Sequence, residues 1–332
     1  MSELGLKLAE IRDRPAPPEP EVYAAALQRG RQALAAEPSE VRPADPGGLP
    51  GGVVRLSPEL PTLVVPDLHA RLDFFLGLLE WGGWGGISVR EGLESGGLQV
   101  LCLGDGMHAE ARAASRWKAA QREFAGGYRK HSHMDEEMRE SLGLMQMVME
   151  CKAAFPGGFH FLKGNHENIA NEEGGGNHPF VKFALEGFMV ADYMRLFYGE
   201  EILSGHYEFE KQLPLLAVGG SFLASHAEPA QFFPWERVVG FRDDPQVVLG
   251  LTWTADEEAE AGSVQRMLEH YLGRAEDAYY FGGHRPVRGF NLRADGRYVQ
   301  IHDPERWVLG LLPADGRIDP GRDILDIGEV GE

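Results

Sequence analysis

The sequence predicts an α+β fold, an α/β/β/α sandwich in which two mixed β-sheets pack face to face and are flanked by helices. Three observations lead there. Short apolar runs recur along the 332 residues, separated by segments of helix-forming composition. Five of these runs stop, usually beside a glycine, and continue straight into Asp, Asn or His. Two turn signals near the end, Asp295-Gly296 and Asp315-Gly316, read as closing hairpins. Strands that are apolar on both faces must be covered on both, and sheets packed face to face do this.

Residues 1–50 read as an N-terminal helical arm and Pro-rich linker. Residues 20–36 are rich in Ala, Leu and Gln and lie between Pro-rich stretches, so a helix packed on the main body is expected. The main domain is expected over 51–315. Its first strands are residues 53–56 and 63–65, β-branched runs of which the second ends in Pro66-Asp67-Leu68-His69. A helix follows over 70–79. Residues 98–103 form a near-continuous apolar strand ending in Gly104-Asp105-Gly106. Residues 110–124 and 134–155 carry helix formers separated by Gly126-Gly127; within 107–155 we expect an inserted helical hairpin with the role of a cap or lid. The strand at 159–163 leads into Gly164-Asn165-His166-Glu167. Residues 180–198 read as a helix. Strands at 213–218 and 221–225 lead to His226, and the strand at 279–281 leads to Gly283-His284-Arg285. A helix is expected over 264–274, strands over 298–302 and 307–312, and an acidic tail over 316–332.

Composition narrows the function. Lys plus Arg number 32 against 51 Asp plus Glu, a formal charge of −19. So acidic a surface repels phosphate backbones and argues against nucleic-acid binding. It leaves room for a local positive site built from metal ions. The apolar runs fall far short of the ~20 residues that a membrane span needs, and residues 1–15 lack the apolar core of a signal peptide. No membrane association is expected. Two cysteines, Cys102 and Cys151, make no disulfide framework and fit buried thiols in a reducing cytoplasm.

Five strand ends therefore present potential ligands: Asp67 and His69, Asp105, Asn165 and His166, His226, and His284. Asp and His two apart at a strand end point the same way. Any one of these is an ordinary turn residue. Five in one chain, at the strand edge where α/β folds bind ligands, point to a shared site. Carboxylate, imidazole and amide oxygen suit Mn, Fe or Zn better than Ca or Mg. The lack of a Cys cluster argues against a structural zinc.

The order of these motifs resembles the calcineurin-like metallophosphoesterases. It is most similar to their phosphoprotein phosphatase branch, which includes bacterial Ser/Thr phosphatase and diadenosine-tetraphosphatase relatives. The motifs are Pro66-Asp67-Leu68-His69-Ala70, Gly104-Asp105-Gly106-Met107-His108-Ala109-Glu110, Gly164-Asn165-His166-Glu167, Ser225-His226-Ala227 and Gly283-His284, with Leu251-Thr252-Trp253-Thr254 between the last two histidines. The resemblance spans residues 60–312. It implies two metal ions, manganese first and iron or zinc next. Asp67, His69 and Asp105 would hold one. Asp105 would bridge to a second, held also by Asn165, His226 and His284. Such a pair, about 3.5–4 Å apart, activates a bridging water for attack on a phosphomonoester. His166 would be the general acid.

Ala70 and Ala227 stand where the resemblance implies glycines, and two further places depart more. His108 and Ala109 stand where the family has an Asp that orients the acid histidine and an Arg that binds phosphate. His108 or Glu110 is expected to replace the Asp. For the Arg, the expectation falls on Arg285, with Arg71, Arg112 and Arg116 as alternatives. The substrate is expected to be a phosphorylated protein or small molecule. Two other readings remain: a hydrolase of nucleotide phosphoanhydrides or phosphodiesters, and a catalytically silent metal-binding protein.

Overall fold

Neighbouring residues of a strand face opposite sides of its sheet, and here both sides are apolar. In β1 (Val53–Arg55), Val53 packs outward against helices and Val54 inward against the other sheet. In β2 (Thr62–Val65), Leu63 and Val65 point outward and Val64 inward; in β3 (Gln99–Cys102), Val100 and Cys102 point outward and Leu101 inward. The computed structural model describes residues 2–328. The other strands are β4 (Phe159–Phe161), β5 (Leu216–Val218), β6 (Phe222–Ala224), β7 (Tyr279–Gly282), β8 (Asn291–Arg293), β9 (Tyr298–Gln300), β10 (Val308–Leu312) and β11 (Ile324–Asp326).

The strands form two mixed sheets, ordered β1-β5-β6-β7-β9-β8 and β11-β10-β2-β3-β4. Within them β2, β3 and β4 run parallel, as do β6, β7 and β9. Val54, Val64, Leu101, Phe222, Phe281 and Val299 fill the space between the sheets. Helices α1 (Glu3–Asp13), α2 (Pro20–Ala35), α3 (Leu72–Glu80), α4 (Val89–Glu94), α5 (Ala114–Ala125), α6 (Ser132–Ala154), α7 (Glu186–Phe197) and α8 (Gly199–Gln212) cover the outer face of the five-stranded sheet. Helices α9 (Trp235–Val239), α10 (Pro245–Thr252) and α11 (Ser263–Leu272) cover the six-stranded one. The expected α/β/β/α sandwich is what forms. Among the described residues, no helix is long and apolar enough to cross a membrane.

Three expectations are corrected. Residues 107–155 are not a cap standing off the domain. Parallel neighbours such as β3 and β4 need a crossover connection, and α6 is that crossover. Its Met145, Met147 and Met149 are fully buried, and it packs against α1, α2 and α5. The arm holds two helices, not one: α1 buries Leu8 and Ile11 although five of its 11 residues are charged. The acidic stretch after residue 315 is not a frayed tail over its described part. A short helix, α12 (Pro320–Asp323), leads into β11, which pairs antiparallel with β10 and closes the sheet edge; residues 329–332 lie outside the described part. In both the arm and the tail, tertiary packing overrides a polar local composition.

Candidate metal centre

The topology delivers the site. β2, β3 and β4 from one sheet and β6, β7 and β9 from the other release their chains toward one place, and each exit carries a predicted or unpredicted donor. The glycines at these exits allow close approach. A Cβ at Gly283 would sit 1.9 Å from Asp67 Oδ1, and one at Gly164 would sit 2.1 Å from Asp105 Oδ1. The backbone is strained to place the ligands: His69, Asp105 and His284 hold left-handed φ of 42°, 51° and 62°. Each costs on the order of 1–3 kcal/mol and persists only where the surroundings dictate it. Ala70, where the family has glycine, is also left-handed at φ 58°.

Hydrogen bonds fix which imidazole nitrogen faces the centre. His226 Nδ1 donates to the Leu103 carbonyl at 3.0 Å, so its Nε2 offers a lone pair. That lone pair faces Asn165 Oδ1 at 2.9 Å, His284 Nδ1 at 3.2 Å and Asp105 Oδ2 at 3.4 Å. His69 Nδ1 donates to the His108 carbonyl at 3.1 Å. Its Nε2 faces Asp105 Oδ2 at 3.5 Å, Glu110 Oε1 at 3.6 Å and Asp67 Oδ2 at 3.9 Å. Asp67 Oδ2 accepts from the His284 backbone N–H at 2.8 Å, while its Oδ1 is buried without a hydrogen-bond partner.

Imidazole nitrogens, the Asn165 amide oxygen and carboxylate oxygens thus converge on one place. Asp67, His69, Asp105, Asn165 and His226 are all buried. Burial pushes Asp67 up to about 6 and Asp105 well above the usual carboxylate range. Burial also holds His69 down to about 4, His284 to about 3, and His226 well below its ordinary value. Burial thus favours the neutral imidazole at these three positions. A cation is what such a donor set lacks, and N/O donors of this kind fit a transition metal. Three donor groups lie within 4.8 Å of one another: Asp67, His69 and His302; His69, Asp105 and His166; Asp67, Asp105 and His226.

His166 sits at the edge of this cluster. Its Nε2 is 3.8 Å from Asp105 Oδ2. Its Nδ1 is 3.0 Å from His108 Nδ1. Burial holds His108 down to about 3 and His166 well below its ordinary value. Glu167 acts as a brace rather than a ligand. Its carboxylate accepts from the backbone N–H groups of Asp105 at 2.9 Å, Gly106 at 2.8 Å and Gly164 at 2.6 Å. It thereby ties the exits of β3 and β4 together, while the buried Lys163 donates to its carbonyl.

The sequence reading missed His302. It follows β9, an apolar strand leading to a histidine, but without the glycine that stands beside Asp105, Asn165 and His284. Its Nε2 lies 3.0 Å from Glu110 Oε2 and donates to it. That leaves Nδ1, buried and without a hydrogen-bond partner, 3.8 Å from Asp67 Oδ2. Burial pushes Glu110 up, but His69, His302 and Lys182 overrule it and hold the carboxyl well below its usual range.

The alternative arginines are engaged elsewhere. Arg71 donates to the carbonyls of Asp67 at 2.7 Å, Asp303 at 3.2 Å and Leu68 at 3.3 Å. Arg112 donates to the Ala70 carbonyl at 3.0 Å and pairs with Glu140 at 2.9 Å. Arg116 pairs with Glu136, Glu137 and Glu140. Arg285 is exposed, next to His284.

No family model matches the chain, and no curated protein matches its sequence. Its fold is shared with a solved protein serine/threonine phosphatase from Saccharomyces cerevisiae that has similarity to human phosphatase PP5. The TM-score is 0.54, at 14% identity over 95% of this chain and 91% of that one. Two further solved structures align with lower scores. One is a cold-active protein tyrosine phosphatase, with TM-score 0.47 and 12% identity over 84% of this chain and 82% of that chain. The other is a candidate diadenosine tetraphosphatase, with TM-score 0.45 and 13% identity over 85% of this chain and 100% of that chain.

Proposed function

We propose that this chain is a metal-dependent phosphoester hydrolase. The observation that supports it most is the convergence of six strand ends, three from each sheet, on one buried set of donors that carries no cation of its own. In this reading Asp67, His69, Asp105 and His302 would hold one metal ion, and Asp105, Asn165, His226 and His284 a second. Bound there, such ions generate a nucleophile from water at neutral pH and put positive charge where the phosphoryl oxygens gain negative charge. Manganese is our first choice, with iron or zinc next.

The chain's own residues do the rest. Asp105 lies between the two donor groups and aligns them. His166 would hand a proton from Nε2 to the departing oxygen in its protonated form, whose Nδ1–H faces His108 Nδ1 at 3.0 Å. Arg285, exposed beside His284, is free to reach over a bound phosphoryl group. The substrate is a phosphorylated protein or small molecule. The two buried free thiols fit a reducing compartment, and we assign the protein to the cytoplasm on that ground.

The test is hydrolysis of p-nitrophenyl phosphate with Mn²⁺, scored against Asp105→Asn. Wild-type turnover that falls to background in the variant is expected. Equal rates for the two proteins sink the proposal. A nucleotide panel then separates monoester from phosphoanhydride hydrolysis.

A further inference from the structure

With Arg71, Arg112 and Arg116 engaged, the centre still has one basic side chain in direct contact with its donors. Lys182 lies on the connection between β4 and α7, after Gly174-Gly175-Gly176. Its Nζ is 3.7 Å from Glu110 Oε1, the same oxygen that lies 3.6 Å from His69 Nε2. The side chain is 48% exposed, so the ammonium faces the donor cluster on one side and solvent on the other. Its Nζ lies 5.5 Å from the centre of the Phe183 ring.

The main chain that carries Lys182 is pinned. The backbone N–H groups of Lys182, Phe183 and Ala184 donate to the Glu186 carboxylate at 2.9, 2.5 and 3.0 Å, and Glu186 is fully buried in the first turn of α7. Two residues before Lys182, Phe180 lies against His166 with ring centroids 3.8 Å apart, and it stacks on His108 at 5.3 Å. The segment is therefore seated on the centre by Phe180 and anchored by Glu186, with the ammonium between them.

We propose that Lys182 binds the phosphoryl oxygens of the substrate, a specificity-determining role that Arg71, Arg112 and Arg116, engaged elsewhere, are not free to fill. This rests on the phosphoester reading. An ammonium is a compact charge with three donors on a flexible stem, suited to phosphate oxygens that need no fixed fork. Glu110 is its partner before substrate arrives. The ammonium is half exposed and 3.7 Å from a carboxylate that also faces His69 and His302, so a phosphate dianion can replace that carboxylate as its partner. Arg285 then approaches from beside His284, and the two cations meet the phosphoryl group from opposite sheets.

The test is inorganic phosphate binding to the manganese-loaded full-length protein by titration calorimetry. Lys182→Met is expected to weaken phosphate binding about tenfold, and Lys182→Arg to stay within about threefold of wild type. Lys130→Met, at an exposed lysine between α5 and α6, controls for net charge and is expected to change nothing. Metal content is expected to be equal in all four proteins. Unchanged phosphate binding in Lys182→Met overturns the proposal, and so does an equal loss in Lys130→Met. The readout is separate from turnover. A wild type that takes up phosphate through Lys182 but hydrolyses no ester sinks the hydrolase reading alone.

Discussion

Glu37 and Asp67 are both carboxylates shut away from solvent, and their surroundings treat them oppositely. Around Glu37 the fold brings its own cations. Arg42 Nη1 lies 2.8 Å from one carboxylate oxygen and Lys152 Nζ 2.6 Å from the other, with His160 Nδ1 at 3.5 Å. Lys152 also donates to the carbonyls of Pro156 and Phe159, and Arg42 to that of Gly51. Burial alone would push Glu37 up, but His160, Lys152 and Arg42 hold it down to about 2. Around Asp67 nothing comparable exists. The nearby Arg71 guanidinium donates to the Asp67 carbonyl rather than to its carboxylate, and burial dominates, raising the carboxyl to about 6. A buried charge cluster that serves the fold carries its own counter-charges. One that omits them is arranged for a cation from outside.

The contrast is broken most decisively through stability. Glu37→Gln leaves Arg42 and Lys152 in a closed interior without their carboxylate, and a loss of about 3–5 kcal/mol is expected from the urea midpoint. Asp67→Asn removes a buried charge that has no counter-ion and keeps an acceptor for the His284 N–H. It is expected to raise the midpoint of the metal-free protein. Should both substitutions destabilise alike, the two clusters are of one kind. The first substitution also has a pH signature. Glu37 is held down to about 2 in the fold against an ordinary 4.5. Its contribution is therefore present above about 4.5 and lost as the pH falls toward 2. The midpoint difference between wild type and Glu37→Gln is expected to shrink across that window. A difference that stays constant down to pH 2 refutes the assignment.

Metal addition sharpens the comparison further. At a Mn²⁺ concentration 100 times its dissociation constant, about 2.7 kcal/mol of added stability is expected from the ion that Asp67 would hold. Asp67→Asn should forfeit most of it, so the variant that was the more stable without metal becomes the less stable with it. Glu37→Gln should gain as much as wild type. A chelator titration followed by thermal melting reads both effects, and a gain in Asp67→Asn equal to that of wild type counts against the centre.

How far the sequence discloses this follows from the same physics. The apolar strands and their exits at Asp67, Asp105, Asn165, His226 and His284 were legible, because an apolar run that passes straight into Asp, Asn or His is a local signal. The helix pattern over 20–36 was legible for the same reason. The role of α6 was not: a crossover helix and an inserted hairpin have the same composition, and only the parallel pairing of β3 with β4 separates them. His302 carried the signal of an apolar strand ending in histidine but lacked the glycine. Lys182 carried no signal, since its role depends on Glu186 and Phe180 seating a loop against residues far away in the chain. The engagement of Arg71 with carbonyls is likewise a tertiary fact.

His302 offers the smallest and most specific test of the difference between the two clusters. If the centre awaits cations, its orphaned Nδ1 is a ligand, and the donation of Nε2–H to Glu110 keeps that nitrogen unprotonated. His302→Asn is then expected to weaken one metal ion about tenfold, roughly 1.4 kcal/mol, while leaving the other bound. The loss would be read as a metal stoichiometry falling from two toward one at limiting Mn²⁺. Glu110→Gln retains an acceptor for the same N–H, so the tautomer survives and a change within about threefold is expected. If His302→Asn keeps both ions at wild-type affinity, its imidazole is a buried polar group of the fold, and that part of the centre is no different in kind from the network around Glu37.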